Sequence, residues 1–286
     1  MEKKKKQYRP RCRELNDAAV TQGMHQHLTA LASKKDGGIV AIVTLLGTFS
    51  PVTVSHIDAF VQARNFLTND SMPSEIHRPE DLEDLDLVLG FASVNAQSYV
   101  DRKFARLGAA PPLPYEDRRY LVELAIQQQK LEWMGLEDWE GCSVAYLRKQ
   151  YPNLTFIHFV MNGADDVLKY QKWNYMTDEE NRFITMGRPG MTGRLLEELQ
   201  KAKEWVNLSQ FLVGPELQEV SSTQARSALE TIQSTSADTT SKKEASEELD
   251  ALLDRAVKQW CITEGPWAPQ DKDESKQKML KLKQKP

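Results

Sequence analysis

This 286-residue sequence predicts an α/β fold: a parallel sheet with helices on both faces. Three observations predict it. Apolar runs without polar alternation recur along the chain, as strands covered on both faces require. Helix-forming stretches alternate with those runs, the order that right-handed crossovers between parallel strands produce. The runs end in Gly, Pro or Asn-Gly, which close a strand into a turn.

IVAIVTLL, 39–46, is rich in β-branched residues and forms the first strand. The helix expected at 55–67 gathers Ile57, Phe60, Val61 and Arg64 on one side, with Asp58 and Gln62 turned away. LDLVLGFASV, 85–94, is the second strand, and YEDRRYLVELAIQQQ, 115–129, a helix of strong formers. LEWMGLED supplies a short strand and SVAYLRKQY a helix. Apolar strands at 155–163 and 181–190 follow, then the helix MTGRLLEELQKAKEW, the strand SQFLVGP and the helix start STQARSALETI. The stretch 233–248 carries almost nothing apolar and is expected to be a flexible insertion, before a closing helix in ELDALLDRAVKQWCI. The expected organisation is a basic polar arm over 1–36, a folded domain over 37–265 and a charged tail over 266–286.

An apolar fraction of 40% is adequate for a core, and a formal charge of −4 makes no global case for nucleic acid. The basic ends fit solubilising tails, or an import or RNA-contacting segment. Cys12, Cys142 and Cys261 show neither metal-ligand spacing nor a disulfide framework, which fits a reduced intracellular compartment, cytoplasmic or nuclear. No apolar run reaches the length of a membrane span, so no membrane partner is expected. No interface patch is readable, and oligomeric state stays open.

The chemistry concentrates at GTFSPVTVSH, 47–56, where the first strand gives way to a helix. Gly47 permits close backbone approach, Pro51 stiffens the loop, and Ser55 is available as a cap. The free N–H groups of a helix start form an anion site, and His56 in the first turn can reach a phosphate bound there. Neither a dinucleotide-binding glycine motif nor a Walker lysine is present. A second helix start, VSSTQAR at 220–226, offers backbone donors and Arg226 after the last strand.

These residues carry a resemblance. GTFSPVTVSH is similar to the G-x-F-x-P-x-[HT]-x-x-H signature of nucleotidyltransferases, and VSSTQAR resembles the I-S-S-T-x-x-R motif of their eukaryotic-type nicotinamide/nicotinate mononucleotide adenylyltransferases. Thr53 stands at the first variable position, as in that branch. The likeness covers roughly 38–232, through GFASVNAQSYVDRK, PYEDRRYLVELA, LEDWE, NGAD and ITMGRPG. It implies a Rossmann-like nucleotidyltransferase fold and adenylyl transfer from ATP to the mononucleotide, giving NAD or its deamido form and pyrophosphate.

The resemblance implies His56 on an α- or β-phosphate oxygen and Arg226 on the departing pyrophosphate. Gly47, Thr48 and Phe49 would line the nucleotide site; Ser222, Thr223, Gln224 and Ala225 would complete the phosphate cradle. Either Arg102 or Lys103 would meet phosphate. Trp139 and Trp173 would stack on the pyridine ring, and Gly163 and Asp165 would contact the riboside. Mg²⁺ would be held mainly by substrate phosphates and water. The stretch between NGAD and GRPG is shorter here than in the family, so Trp173 sits at a smaller offset. His158, within an apolar strand, is expected to be a satisfied core residue, and Asp166 an exposed helix-start charge. His25, His27 and His77 show no ligand spacing. Other readings are transfer to a phosphopantetheine or choline-type phosphate, or a nucleotide-binding or ATP-hydrolysing relative with a sensing or chaperone-like role.

Overall fold

Six strands form one sheet in the order β3-β2-β1-β4-β5-β6, and every neighbouring pair is parallel. The strands are β1 (Ile39–Gly47), β2 (Leu85–Val94), β3 (Met134–Glu137), β4 (Thr155–Gly163), β5 (Asn181–Gly187) and β6 (Phe211–Glu216). The computed structural model describes residues 19–34, 37–68, 82–174 and 177–268. Most of the expected basic arm and charged tail, with Cys12 and His77, lies outside the described residues. The α/β fold class and all six strands agree with the pattern in the sequence.

Side chains alternate across a strand, and β1 sorts its residues accordingly. Ala41 and Val43 enter the larger core with α2 (Val54–Thr68), α4 (Tyr115–Gln128), α8 (Ser222–Gln233), α9 (Thr239–Leu252) and α10 (Arg255–Thr263). Val40 and Ile42 face a smaller core with α1 (Gln22–Lys34) and α5 (Cys142–Gln150). A third cluster packs α6 (Ala164–Tyr170) and α7 (Thr192–Ala202) against β6. The remaining helix, α3 (Gln97–Leu107), follows β2.

Four expectations need correcting. The segment assigned to a polar arm contains α1, because Met24 and Leu28 bury against Val40, Ile42 and Phe91. The insertion at 233–248 is helical from Thr239: Asp238 caps α9 by accepting from Ser241 N–H, and Ala245, Leu249 and Leu252 supply a sparse apolar stripe. The single closing helix is two, divided at Leu253 and Asp254, and Asp254 caps α10. Cys142 is disulfide-bonded, against the sequence expectation, whereas Cys261 is free and buried. Among the described residues no helix is long and apolar enough to cross a membrane.

The sheet is asymmetric around β1. Its ladder with β2 runs from Ile39↔Leu85 to Gly47↔Val94, but its ladder with β4 stops at Thr44↔Val160. Beyond Thr44 the central strands part, at the place where the chain order reverses across the sheet. Ligands of open α/β sheets gather in such crevices.

If α9 belongs to the core, truncating its buried face must destabilise the whole domain. Leu249→Ala, at a side chain with 0% exposure, should lower the unfolding free energy by about 2–5 kcal/mol in urea denaturation. Exposed Lys243→Ala in the same helix should stay within about 0.5 kcal/mol of the parent. Equal stabilities would mean that the segment is a linker after all.

Candidate functional site

A cavity of about 1080 Å³ opens where β1 and β4 separate. Leu45 to Thr48 form one wall, and Met161, Asn162 and Gly163 the other. Ser55, His56 and Lys103 also line it, as do Val160, Tyr170 and Phe183. Leu46 is 43% exposed, so part of that face carries no helix.

The loop after β1 is shaped by its own aromatic ring. Phe49 is buried with φ of 47°, a left-handed conformation that costs a bulky residue energy. Its ring lies over Gly47, where an added Cβ would come within 2.3 Å of Phe49 Cζ. Gly47 therefore makes room for Phe49 as well as for any ligand. The ring edge meets His56, with centroids 5.0 Å apart.

Thr53 immediately precedes α2, and His56 is the third residue of that helix. The Thr53 N–H donates to His56 Nδ1 at 3.1 Å, and Thr53 Oγ1 lies 2.7 Å from the same atom. This is half of a capping box, with histidine in the position usually held by Glu or Gln. Because Nδ1 accepts from an amide, the neutral ring carries its proton on Nε2. His56 thus has a donor available on a residue that lines the cavity. Burial, then Arg188 and Lys103, hold its pKa down at about 4. Ser55 is not the cap; its Oγ donates to Gln218 O at 3.4 Å.

The second helix start docks onto the same loop. Ser222 Oγ donates to Pro51 O at 2.8 Å, and Arg226 Nη1 to Ser50 O at 2.8 Å. Ser221 and Gln224 form a full capping box on α8, which engages the Gln224 side chain. Arg226 also donates to Thr223 Oγ1 and stacks over Phe104 at 4.8 Å. The two predicted motifs therefore meet on one loop, 50–53. His56 lines the cavity, whereas Arg226 and residues 222–225 sit beside it.

The remaining predicted residues divide. Lys103 lines the cavity and donates to Thr48 Oγ1 at 3.3 Å, whereas Arg102 is exposed outside it. Gly163 and Asp165 line the cavity. An added Cβ on Gly163 would meet Asp165 Oδ1 at 2.8 Å, and Asp165 pairs with Arg188 Nε at 3.2 Å. Trp139 is 58% exposed and outside the lining. Trp173 is a correction: at 8% exposure it packs with Val167, Leu195 and Leu199, and the short segment after α6 turns it into the core. His158 lies 2.8 Å from Thr44 Oγ1, so it is the satisfied residue expected, though it also borders the cavity. Asp166 pairs with Lys172 rather than standing as a solvated charge.

Several site residues escaped the sequence. Arg188, just after β5, lines the cavity with Lys172, Asn95 and Tyr170. Glu137, at the end of β3, accepts from Ser93 Oγ, Gly141 N and Ser143 N and so shapes the 138–143 turn. Burial pushes its pKa up to about 7 against those three donors. Arg118 could have been found by period: 118, 121, 122 and 125 share the apolar face of α4.

No protein-family model and no curated protein matches the sequence. Solved structures of Plasmodium falciparum nicotinic acid mononucleotide adenylyltransferase do match, one complexed with APC and one with NaAD. Each is 14% identical with a TM-score of 0.47; the match covers 79% of this chain and 96% or 97% of theirs. The fold class stands on the six-stranded parallel sheet itself.

The depressed pKa of His56 has a direct test. Its ring should stay neutral from pH 8 to about pH 5 in the folded protein, with an NMR titration midpoint below 5. A midpoint near the ordinary 6.5 would contradict the Nδ1 acceptor geometry. His158 is likewise lowered to about 4. Both rings contribute stability present above pH 6.5 and lost as pH falls towards about 4. Glu137 acts in the opposite sense, its contribution present below 4.5 and lost as pH rises through about 7.

Proposed function

We propose that this chain transfers the adenylyl group of ATP to nicotinamide or nicotinate mononucleotide. A phosphate oxygen of the mononucleotide attacks the α-phosphorus of ATP, the bond to the bridging oxygen breaks, and pyrophosphate leaves. The observation that carries this reading is the meeting of two helix starts on loop 50–53, with His56 turned into the cavity.

The chemistry makes few demands on acid or base groups. A phosphate monoester has its second pKa near ~6, so the nucleophile is already ionised at neutral pH. What remains is alignment and stabilisation of charge. Neutral His56 donates Nε2–H to a phosphate oxygen. Lys103 and Arg188 bring positive charge to the same end, close enough to His56 to depress its pKa. Arg226, on the other side of the loop, supports the pyrophosphate end. Mg²⁺ held by the ATP phosphates and water would offset part of their charge. Among the described residues no group of three His, Cys, Asp or Glu is placed to hold a metal. The cavity acids Asp165 and Asp166 are paired to Arg188 and Lys172.

The pyridine ring takes the apolar part of the lining, to which Leu46, Val160 and Phe183 contribute. Tyr170, exposed and in the lining, is the ring we assign to it, since Trp139 and Trp173 lie outside the lining. A tyrosine face attracts a pyridinium cation.

Purified protein given ATP and the mononucleotide should release dinucleotide and pyrophosphate in equal amounts. His56→Ala should lower kcat/KM by about 10²–10³-fold with unfolding unchanged. ADP and phosphate without dinucleotide would favour an ATP-hydrolysing relative instead. Tyr170→Ala should raise KM for the mononucleotide roughly five- to tenfold, with Trp139→Ala near wild type; the reverse ranking would return the ring to Trp139.

A further inference from the structure

Arg118 is the bulkiest side chain sealed from solvent among the described residues, at 0% exposure. Its Nε donates to Leu113 O at 3.0 Å. Nη1 donates to Thr48 O at 3.0 Å and to Asn95 O at 2.9 Å, and Nη2 to Gln97 Oε1 at 3.1 Å. The Tyr115 ring lies beneath the guanidinium at 5.7 Å. These acceptors come from the connections after β1, after β2 and before α4, and from the first turn of α3. One cation therefore joins segments far apart in sequence. Two of them, Thr48 and Asn95, line the cavity.

A buried charge is tolerated only when its donors are matched, and an apolar side chain could fill the same space. The matching here has a geometric result. In a trans peptide the carbonyl points opposite to the next N–H. With the Thr48 carbonyl turned inward to Arg118, the Phe49 N–H faces the other way; the Asn95 carbonyl does the same for the Ala96 N–H. The Gly47 carbonyl accepts from Asn95 N at 2.9 Å, which turns the Thr48 N–H away from β2. The same junction is braced by Ser50 Oγ, which accepts from Leu113 N at 2.9 Å.

We infer that Arg118 is a positioning residue for the phosphate end of the cavity: without touching substrate, it sets the orientation of the Thr48 and Asn95 peptides that receive the ATP phosphates. The inference rests on the proposed reading only in taking ATP as the ligand of that end.

The test uses the full chain and ATP alone, followed by isothermal calorimetry, beside a turnover assay. Arg118→Lys keeps the charge but loses the fork of donors. It should weaken ATP binding about tenfold and lower turnover about 100-fold, since small misplacements at a reacting centre have effects of that size. Arg118→Gln is the second variant. Arg148→Lys is the control: Arg148 also clamps backbone carbonyls, Phe156 O and Glu180 O, but lies outside the cavity. It should lose thermal stability to a similar degree while keeping wild-type ATP affinity.

The inference is overturned if folded Arg118 variants stay within about threefold of wild type in ATP affinity and turnover. It is overturned equally if Arg148→Lys weakens ATP as much, or if neither Arg118 variant folds, since Arg118 would then be a determinant of the fold. Wild-type protein that binds ATP but makes no dinucleotide removes the adenylyl-transfer reading and leaves the ATP titrations to decide this one. Wild-type protein that binds no ATP removes both.

Discussion

β1 pairs on both sides, but not for the same distance. Its ladder to β2 continues to Gly47, and its ladder to β4 ends at Thr44. Backbone groups of a central strand need partners, so the residues past that fork must find them elsewhere or meet a ligand. Several bonds at the site answer that requirement. Asn95 N–H reaches Gly47 O, Arg118 takes the Thr48 and Asn95 carbonyls, and Arg226 takes Ser50 O. The cavity is what lies between the separated strands once those bonds are made.

The electrostatics follow from the same loop. His56 is held by its Nδ1 to Thr53, so it serves as a donor rather than a cation. The fixed charge comes from Lys103 and Arg188, and their field helps keep the imidazole neutral. Positive charge and a neutral hydrogen-bond donor thus line one cavity. Asp165 and Asp166 limit the excess of positive charge in the cavity by pairing with Arg188 and Lys172.

Much of this was legible in the sequence where a pattern was local. Buried parallel strands lack polar alternation, so all six stood out. Helix starts have short signatures, so 47–56 and 220–226 did too. The losses have physical reasons. In α1 and α9 two or three apolar residues per helix suffice, because the rest of the surface faces water; composition alone then suggests a tail or a linker. Trp173 has the residue type of a ring platform, but a compact turn after α6 sends it into the core. Arg118 broke the expectation that charge faces solvent, although its place on the apolar stripe of α4 marked it. The Cys142 disulfide left no trace in spacing.

The bond from Ser222 Oγ to Pro51 O spans 171 positions of sequence. Ribosomes extend a chain at about 5–20 residues per second, so loop 50–53 waits roughly ten seconds or longer during synthesis before α8 exists to brace it. Until then the nascent polypeptide has loop 50–53 and none of the helix that docks on it. Completion of the junction is therefore an event of late biogenesis, and a stalled or truncated translation product ending before residue 222 would carry loop 50–53 without its buttress.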